Sequence, residues 1–217
     1  MKNVISADIT ELINDPDLNP DSLSPKERIL LSALKLFVKQ GYFNTNIPDL
    51  SKESNCSIGS IYYHFKNKEE VAAALYDAGI WSFRRALEKT LASRALDKHS
   101  NALDVLREVV KFFLLFTEEN PDISTYLWLS RHTEFMTGII RHPTMIGFDN
   151  LGRTLTNVIK TGIRNGTLRN LKAHEIWPIL FGIPLSYARD WLDGYNTVPP
   201  SEVADTLAES CIRALKK

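Results

Sequence analysis

The sequence predicts an all-α protein: an N-terminal three-helix domain with a helix–turn–helix, then a larger helical domain, about nine helices in all. Three observations carry this. Apolar residues recur at three- and four-residue spacing along most of the chain, convincing two-residue alternation is missing, and most Gly and Pro fall at the edges of the periodic runs. Composition agrees. A chain of 217 residues, 44% hydrophobic and 24% charged, can bury roughly 70% of the surface its unfolded form exposes. That excludes a disordered chain, a fibrous repeat and a disulfide mini-protein.

Net charge is zero, from 26 basic and 26 acidic residues, so a strongly basic nucleic-acid coat protein is excluded. The charge is uneven, however. Residues 1–24 hold one Lys and five acids, Asp8, Glu11, Asp15, Asp17 and Asp21, leaving the rest of the chain net positive. Cys56 and Cys211 are too far apart in sequence to suggest a disulfide framework or a metal cluster. No signal peptide and no apolar run long enough for a membrane span is visible, which makes the cytoplasm the expected compartment.

The elements follow from local chemistry. Residues 1–24 read as a separate acidic extension in which Ile5, Ile9, Leu12 and Ile13 support a short helix over 3–14, either docked on its own domain or free. Asp15-Pro16 through Pro20 breaks it. Ser24, Pro25 and Glu27 form a capping box for a helix that ends at Gly41 in a left-handed cap. Asn46 caps a second helix to about Ser54, with Pro48 in its first turn, and Asn55 supplies a left-handed turn. Ser57 caps a third, Ile58 to Phe65. Asn67 with Glu70 opens a long helix to about residue 92. Further helices fit 100–119, a run after Asn120-Pro121, 144–165, 173–193 and 200–215. The chain thus divides into the extension 1–24, a short-helix domain 25–71 and a larger helical domain 72–217.

Ser51, Asn55 and Ile61 have the spacing of a helix–turn–helix: a small residue at the crossing, a left-handed turn and an apolar anchor. Leu50, Ile61 and Phe65 then pack the pair on Phe37 of the first helix. In such a motif the N-terminal residues of the second helix meet the base edges. Here they are Ser57, Ile58, Gly59 and Ser60, followed by Tyr62, Tyr63 and His64, whose polar tips suit phosphate oxygens, and by Lys68 at the next helix start. Ile58 either touches a thymine methyl or turns inward. Its position about 60° from Ile61 on a helical wheel favours the inward placement.

Residues 25–71, above all Gly41-Tyr42-Phe43 and the run from Ile61 through Tyr-Tyr-His-Phe-Lys-Asn-Lys to Glu70, closely resemble the DNA-binding domain of the tetracycline-repressor (TetR) family. The resemblance implies a dimeric, ligand-responsive transcription regulator, usually a repressor, with no enzymatic activity and no cofactor. It makes 25–71 the DNA-binding domain and 72–217 the ligand-binding and dimerisation domain. It places Tyr62, His64 and Lys68 at positions that contact the DNA backbone or nearby bases, and Asn46 where the family usually has Ser or Thr beside a phosphate. Three departures stand out. Asn55-Cys56 replaces a Gly-Val turn, Ser51 replaces Ala, and Ile58 sits where a polar, base-reading residue is common.

In the second domain, aromatic residues concentrate. A pocket for a largely apolar effector is expected from Phe112, Phe116, Trp128, Phe135, Trp177 and Phe181, with His132, Arg153 and Asn157 as polar anchors. The last two helices are expected to form a homodimer through Ile179, Ile183, Trp191, Val203, Leu207 and Cys211, with Pro178 and Pro184 kinking the first of them. The expected partners are double-stranded DNA, a small molecule and a second copy of the chain. The rival reading is a helical small-molecule-binding protein that has lost specific DNA recognition. Enzymatic readings are weak. Ser32 and Lys35 share one amphipathic helix without a companion motif, the five His lack metal-ligand spacing, and no phosphate loop appears.

Overall fold

A computed structural model describes residues 8–15, 17, 19, 22–93, 101–136 and 150–217. The described residues form ten α-helices and contain no strand, only an isolated bridge between Leu168 and Lys216. The helices are α1 (Ile9–Asn14), α2 (Pro25–Gln40), α3 (Ile47–Ser54), α4 (Ile58–His64), α5 (Lys68–Ser93), α6 (Ala102–Glu119), α7 (Pro121–Ser124), α8 (Asn150–Arg164), α9 (Ala173–Leu192) and α10 (Pro200–Leu215). A π-helical turn, Thr125–Leu129, continues α7, and a 3₁₀ turn, His132–Glu134, follows. The expected helix starts at residues 3 and 144 lie outside the described residues.

Packing divides the chain into two units. One holds residues up to Ser82 together with 122–143, and the other holds 83–121 and 144–217. The sequence boundary after residue 71 follows the DNA-binding motif, whereas this division follows side-chain packing and falls within α5.

In the first unit α1 is docked: Asp8 caps it by accepting from Thr10 N–H, and Ile9 is buried. Leu30, Ala33, Phe37, Leu50, Ile61 and Phe65 form the core of α2–α4. A second layer comes from residues 123–136. Tyr126 stacks on Phe37 at 5.9 Å between ring centroids, and its hydroxyl donates to the Ala72 carbonyl at 2.8 Å. Phe135 stacks on Tyr42 at 4.0 Å. Gly79 allows close packing here, since a Cβ there would lie 2.9 Å from Ile123 Cδ1.

In the second unit Phe83 packs edge-on against Phe112 and Phe116, and Phe113 against Phe181. Helix α10 lies along α6, with the Lys111–Asp205 and Arg107–Glu209 ion pairs beside the contact. The start of α10 lacks a capping side chain of its own. Glu118 of α6 supplies it, accepting from Ser201 N–H and Oγ–H at 2.6 and 2.9 Å. Helix α9 runs from Ala173 to Leu192 through Pro178 and Pro184 without a break. A proline at 184 cannot donate to the Leu180 carbonyl four residues back. The buried Cys211 thiol sits 3.7 Å from that oxygen and donates instead.

Gly162 sets the distance between α6 and α8. A Cβ at this position would lie 2.6 Å from the Ala102 Cβ, an atom that cannot swing aside. Gly162→Ala therefore overpacks the crossing, and urea denaturation should show a loss of about 1–3 kcal/mol. For a chain of this size each kilocalorie corresponds to roughly 2–4 °C in the thermal midpoint.

Candidate nucleic-acid interface

Short helices leave most of their backbone donors and acceptors unpaired, so caps decide whether α3 and α4 exist. Asn46 Oδ1 accepts from Asp49 N–H and Asp49 returns the bond to Asn46 N–H, both at 2.9 Å, which completes a capping box. Asn55 has φ 52° and ψ 35°, the left-handed turn that its side chain tolerates. Ser57 Oγ accepts from Ser60 N–H at 3.1 Å and starts α4. The departures at Ser51 and Cys56 form a single feature. Ser51 Oγ donates to the Cys56 carbonyl at 2.6 Å, Cys56 N–H donates to the Ser51 carbonyl, and the Cys56 side chain is buried.

Two local expectations need correction. Gly41 has the required positive φ of 83°, but its ψ of 159° places it in an extended conformation outside the left-handed helical region. At the start of α5, Asn67 accepts from Glu70 N–H as expected, while the Glu70 carboxylate reaches Lys66 N–H, one residue short of a closed box.

The outer face of α4 is open. Ser57 and Gly59 are exposed and Ser60 is half-buried, while Ile58, Tyr62 and Tyr63 are 44%, 53% and 85% exposed. The inward placement of Ile58 is therefore wrong. The buried face of this seven-residue helix is taken by Ile61, and the inner contact continues through Phe65 just beyond its end. His64 is half-buried with its ring 5.0 Å from that of Tyr63. Gly59 has ordinary helical backbone, and a Cβ there would meet nothing closer than Ser57 Oγ at 3.9 Å. Nothing inside the chain requires a glycine at this place.

Lys68 plays a part that sequence reasoning missed. Its ammonium donates to the Tyr42 and Thr45 carbonyls at 2.7 and 2.6 Å and lies 4.1 Å from the Tyr42 ring centroid. Burial lowers its pKa, and the Asp49 carboxylate acts in the opposite direction. Two of its three donors thus fasten the α2–α3 loop just ahead of Asn46, and one remains for an anion. Tyr42, the ring beneath it, is the residue stacked on Phe135.

The expected effector residues fall into both units. In the first unit the His132 ring meets Tyr76, Tyr126 and Phe135 at 4.7, 4.9 and 5.5 Å between centroids. Neither imidazole nitrogen has a hydrogen bond of ordinary geometry. Burial outweighs the nearby Tyr126 and Leu127 carbonyls and lowers the pKa to about 4. Trp128 is buried in the same segment. Arg131 and Glu134, on either side of His132, form an exposed ion pair. In the second unit Phe112 and Phe116 pack on Phe83, Trp177 stacks on Phe181, and Arg153 and Asn157 lie exposed on α8.

Of the expected dimer residues, Ile183 is exposed and Ile179, Trp191, Val203 and Leu207 are half-buried. Cys211 is corrected: it is fully buried within its own unit, where its thiol serves Leu180. Both cysteines are free thiols. Among the described residues no group of three or more His, Cys, Asp or Glu could hold a metal ion, and no helix is long and apolar enough to cross a membrane.

Comparison with known proteins gives this geometry its class. Residues 29–75 match the profile of the bacterial regulatory proteins of the tetR family. The chain is 25% identical over 142 residues to the fatty acid metabolism regulator protein of Bacillus subtilis, covering 65% of this chain and 70% of that one. It is 29% identical over 122 residues to the negative transcriptional regulator IcaR of the biofilm operon icaADBC in Staphylococcus epidermidis, covering 54% and 60%. In fold it resembles a TetR-family transcription regulator from Marinobacter aquaeolei, with TM-score 0.70, 14% identity and 88% and 94% of the two chains covered. It also resembles the regulator FadR of Bacillus subtilis in complex with stearoyl-CoA, with TM-score 0.68, 16% identity and 85% and 96% covered. Residues 29–75 thus carry the helix–turn–helix described by the tetR family model, and the fold of the described residues is that of solved TetR-family regulators.

Two outcomes follow from these sites. Gly59→Ala should raise or preserve the thermal midpoint, since alanine is favoured over glycine inside a helix by up to about 1 kcal/mol. The same change should weaken duplex DNA binding in a fluorescence-anisotropy titration, because it places a methyl group on the open face. His132 stays neutral in the folded protein down to about pH 4, whereas the unfolded chain takes up a proton below its ordinary value near 6.5. Its burial therefore reduces stability as pH falls from about 6.5 toward 4, by up to about 2 kcal/mol after allowance for partial exposure. The urea midpoint of His132→Phe, compared with the parent across that window, should lack this component.

Proposed function

We propose that this protein binds an inverted-repeat operator as a homodimer, placing α4 of each subunit in successive major grooves, and that a largely apolar small molecule releases it. The observation that carries the reading is the exposed α4 face, where Ile58, Gly59, Tyr62 and Tyr63 stay uncovered on a rigidly capped helix. Large apolar side chains gathered on one small surface mark a binding site. Ser57, Ser60 and Ile58 are the base-facing groups. Tyr62, Tyr63, His64, Asn46 and the remaining donor of Lys68 serve phosphates. Few of these groups can make a bidentate contact with a base, so DNA shape carries part of the specificity.

The release step uses the aromatic brace of the first unit. Tyr126 and Phe135 hold α5 and the α2–α3 loop, so displacing residues 123–136 loosens the support of α3 and α4. A coupling of about 1–3 kcal/mol is ordinary for such a transition. An acyl-CoA thioester is the first effector to try, since a fold neighbour was solved with stearoyl-CoA and a relative is named for fatty acid metabolism. The dimer face consists of Ile179, Ile183, Trp191, Val203 and Leu207, which are left half-buried or exposed on α9 and α10.

Selection from random duplex DNA tests the whole reading. An enriched inverted repeat, bound less tightly by Tyr62→Ala and released by palmitoyl-CoA, is the expected result. Ile183→Glu should give a monomer in analytical ultracentrifugation and lose the operator. If nothing is enriched even at low salt, the small-molecule-binding alternative replaces this reading.

A further inference from the structure

Helix α8 carries the most one-sided charge in the second unit. Residues 150–174 contain Arg153, Lys160, Arg164, Arg169 and Lys172 and no acid. Arg153, Lys160 and Arg164 lie at helical spacings of seven and four, on one face, and all are exposed. Among the described residues none of the three has a carboxylate partner. Arg153 donates to Asn150 Oδ1 and Arg164 to Thr161 Oγ1, which steadies two guanidinium groups without neutralising them. The nearby Asp104 carboxylate on α6 is already paired with Arg107 at 2.9 Å.

Beside this row runs a groove of about 360 Å³ between the start of α6 and α8. Its walls include Asn101, Val105, Thr154, Asn157, Thr161 and Asn165. The close crossing at Gly162 forms its floor. Asn101 spends its side-chain oxygen on the α6 cap and Asn165 on Thr167 N–H, while neither amide NH₂ group has a partner among the described residues. The Thr154 and Asn157 side chains make no hydrogen bond among the described residues. The groove therefore offers neutral donors and acceptors, and its rim offers cations without a carboxylate partner among the described residues. On a helical wheel Asn157 lies only about 20° from Arg164, so the row and the groove adjoin.

We propose that this groove binds a nucleotide carrying a pyrophosphate, with the base or ribose among Asn157, Thr154 and Asn165 and the phosphates on Lys160 and Arg164. Four residues of helix separate those two cations by about 6 Å along the axis, within the span of two linked phosphates. The volume suits a small molecule, whereas a duplex or a protein helix would touch only the row. A free nucleoside diphosphate and the nucleotide end of a coenzyme A thioester present the same chemistry. The site goes beyond the operator reading and does not depend on it, because operator selection does not test α8.

Isothermal titration of the full chain with ADP, inorganic pyrophosphate, coenzyme A and palmitoyl-CoA tests the proposal. Saturable ADP or coenzyme A binding is expected, weakening with salt and falling at least about tenfold in Lys160→Glu/Arg164→Glu, because charge-assisted bonds to phosphate are lost. Tighter binding of ADP supports a free nucleotide as the source, and tighter binding of coenzyme A supports a thioester. Asn157→Leu should weaken ADP more than pyrophosphate. All these residues are exposed, and an unchanged circular dichroism melt verifies folding. If the double reversal does not fold, Lys160→Ala carries the same test. The proposal falls if no nucleotide saturates, if neither charge variant changes affinity, or if pyrophosphate binds as well as ADP. It also falls if the charge variants weaken only duplex DNA, which would make the row a nucleic-acid surface.

Discussion

A helix of seven or eight residues has about as many backbone groups to satisfy at its ends as it pairs within, and α3 and α4 are that short. Everything about the helix–turn–helix depends on meeting this demand. Asn46, Asp49 and Ser57 supply acceptors at the two N-termini. Asn55 turns the chain, and Ser51 ties the turn to Cys56. Lys68 takes up two loop carbonyls that no regular element pairs. Because these bonds are local and directional, they fix the angle between α3 and α4 more tightly than apolar contacts alone would. The outer face of α4 is then free to carry residues chosen for a partner.

The same demand recurs in the second unit, where it is met across the fold. The buried end of α6 is closed by Thr117 and Asn120, which donate to the Phe113 and Phe116 carbonyls. Glu118 reaches the start of α10, and Arg169 closes its end by donating to the Ala214 carbonyl at 2.9 Å. Cys211 serves the oxygen that Pro184 strands. An α9 carrying two prolines persists because tertiary partners and packing offset what each proline removes. This is why the helix runs unbroken although each proline removes a backbone donor.

These two modes explain what was legible in the sequence. Ser24, Asn46 and Ser57 act on backbone three residues away, so residue type and spacing reveal them. The core positions Leu50, Ile61 and Phe65 were legible for the same reason. Tyr126 on Ala72, Glu118 on Ser201 and Cys211 on Leu180 join residues 54, 83 and 31 positions apart, and no local pattern encodes such pairs. Ile58 was misplaced by its nearness to Ile61 on the wheel. On so short a helix one apolar residue, with Phe65 beyond its end, suffices for the inner contact. Lys68 was singled out for its charge, but its loop carbonyls were invisible because Tyr42 and Thr45 lie 26 and 23 residues earlier.

Three helical glycines bring these points together. Gly79 and Gly162 have a packing reason: a Cβ at either would collide with Ile123 or Ala102. Each trades backbone entropy in the unfolded chain for closer contact between helices. Gly59 incurs the same entropic cost and gains no contact inside the chain, because the space above it is open. A residue that weakens its own helix without improving the packing is explained by something that approaches from outside. On a face with two exposed tyrosines and an exposed isoleucine, on a capped helix, the proposed function makes that approach the surface of a DNA groove. The unfavourable glycine and the favourable caps are thus parts of one arrangement, in which rigidity supplied from within offsets the openness that recognition requires.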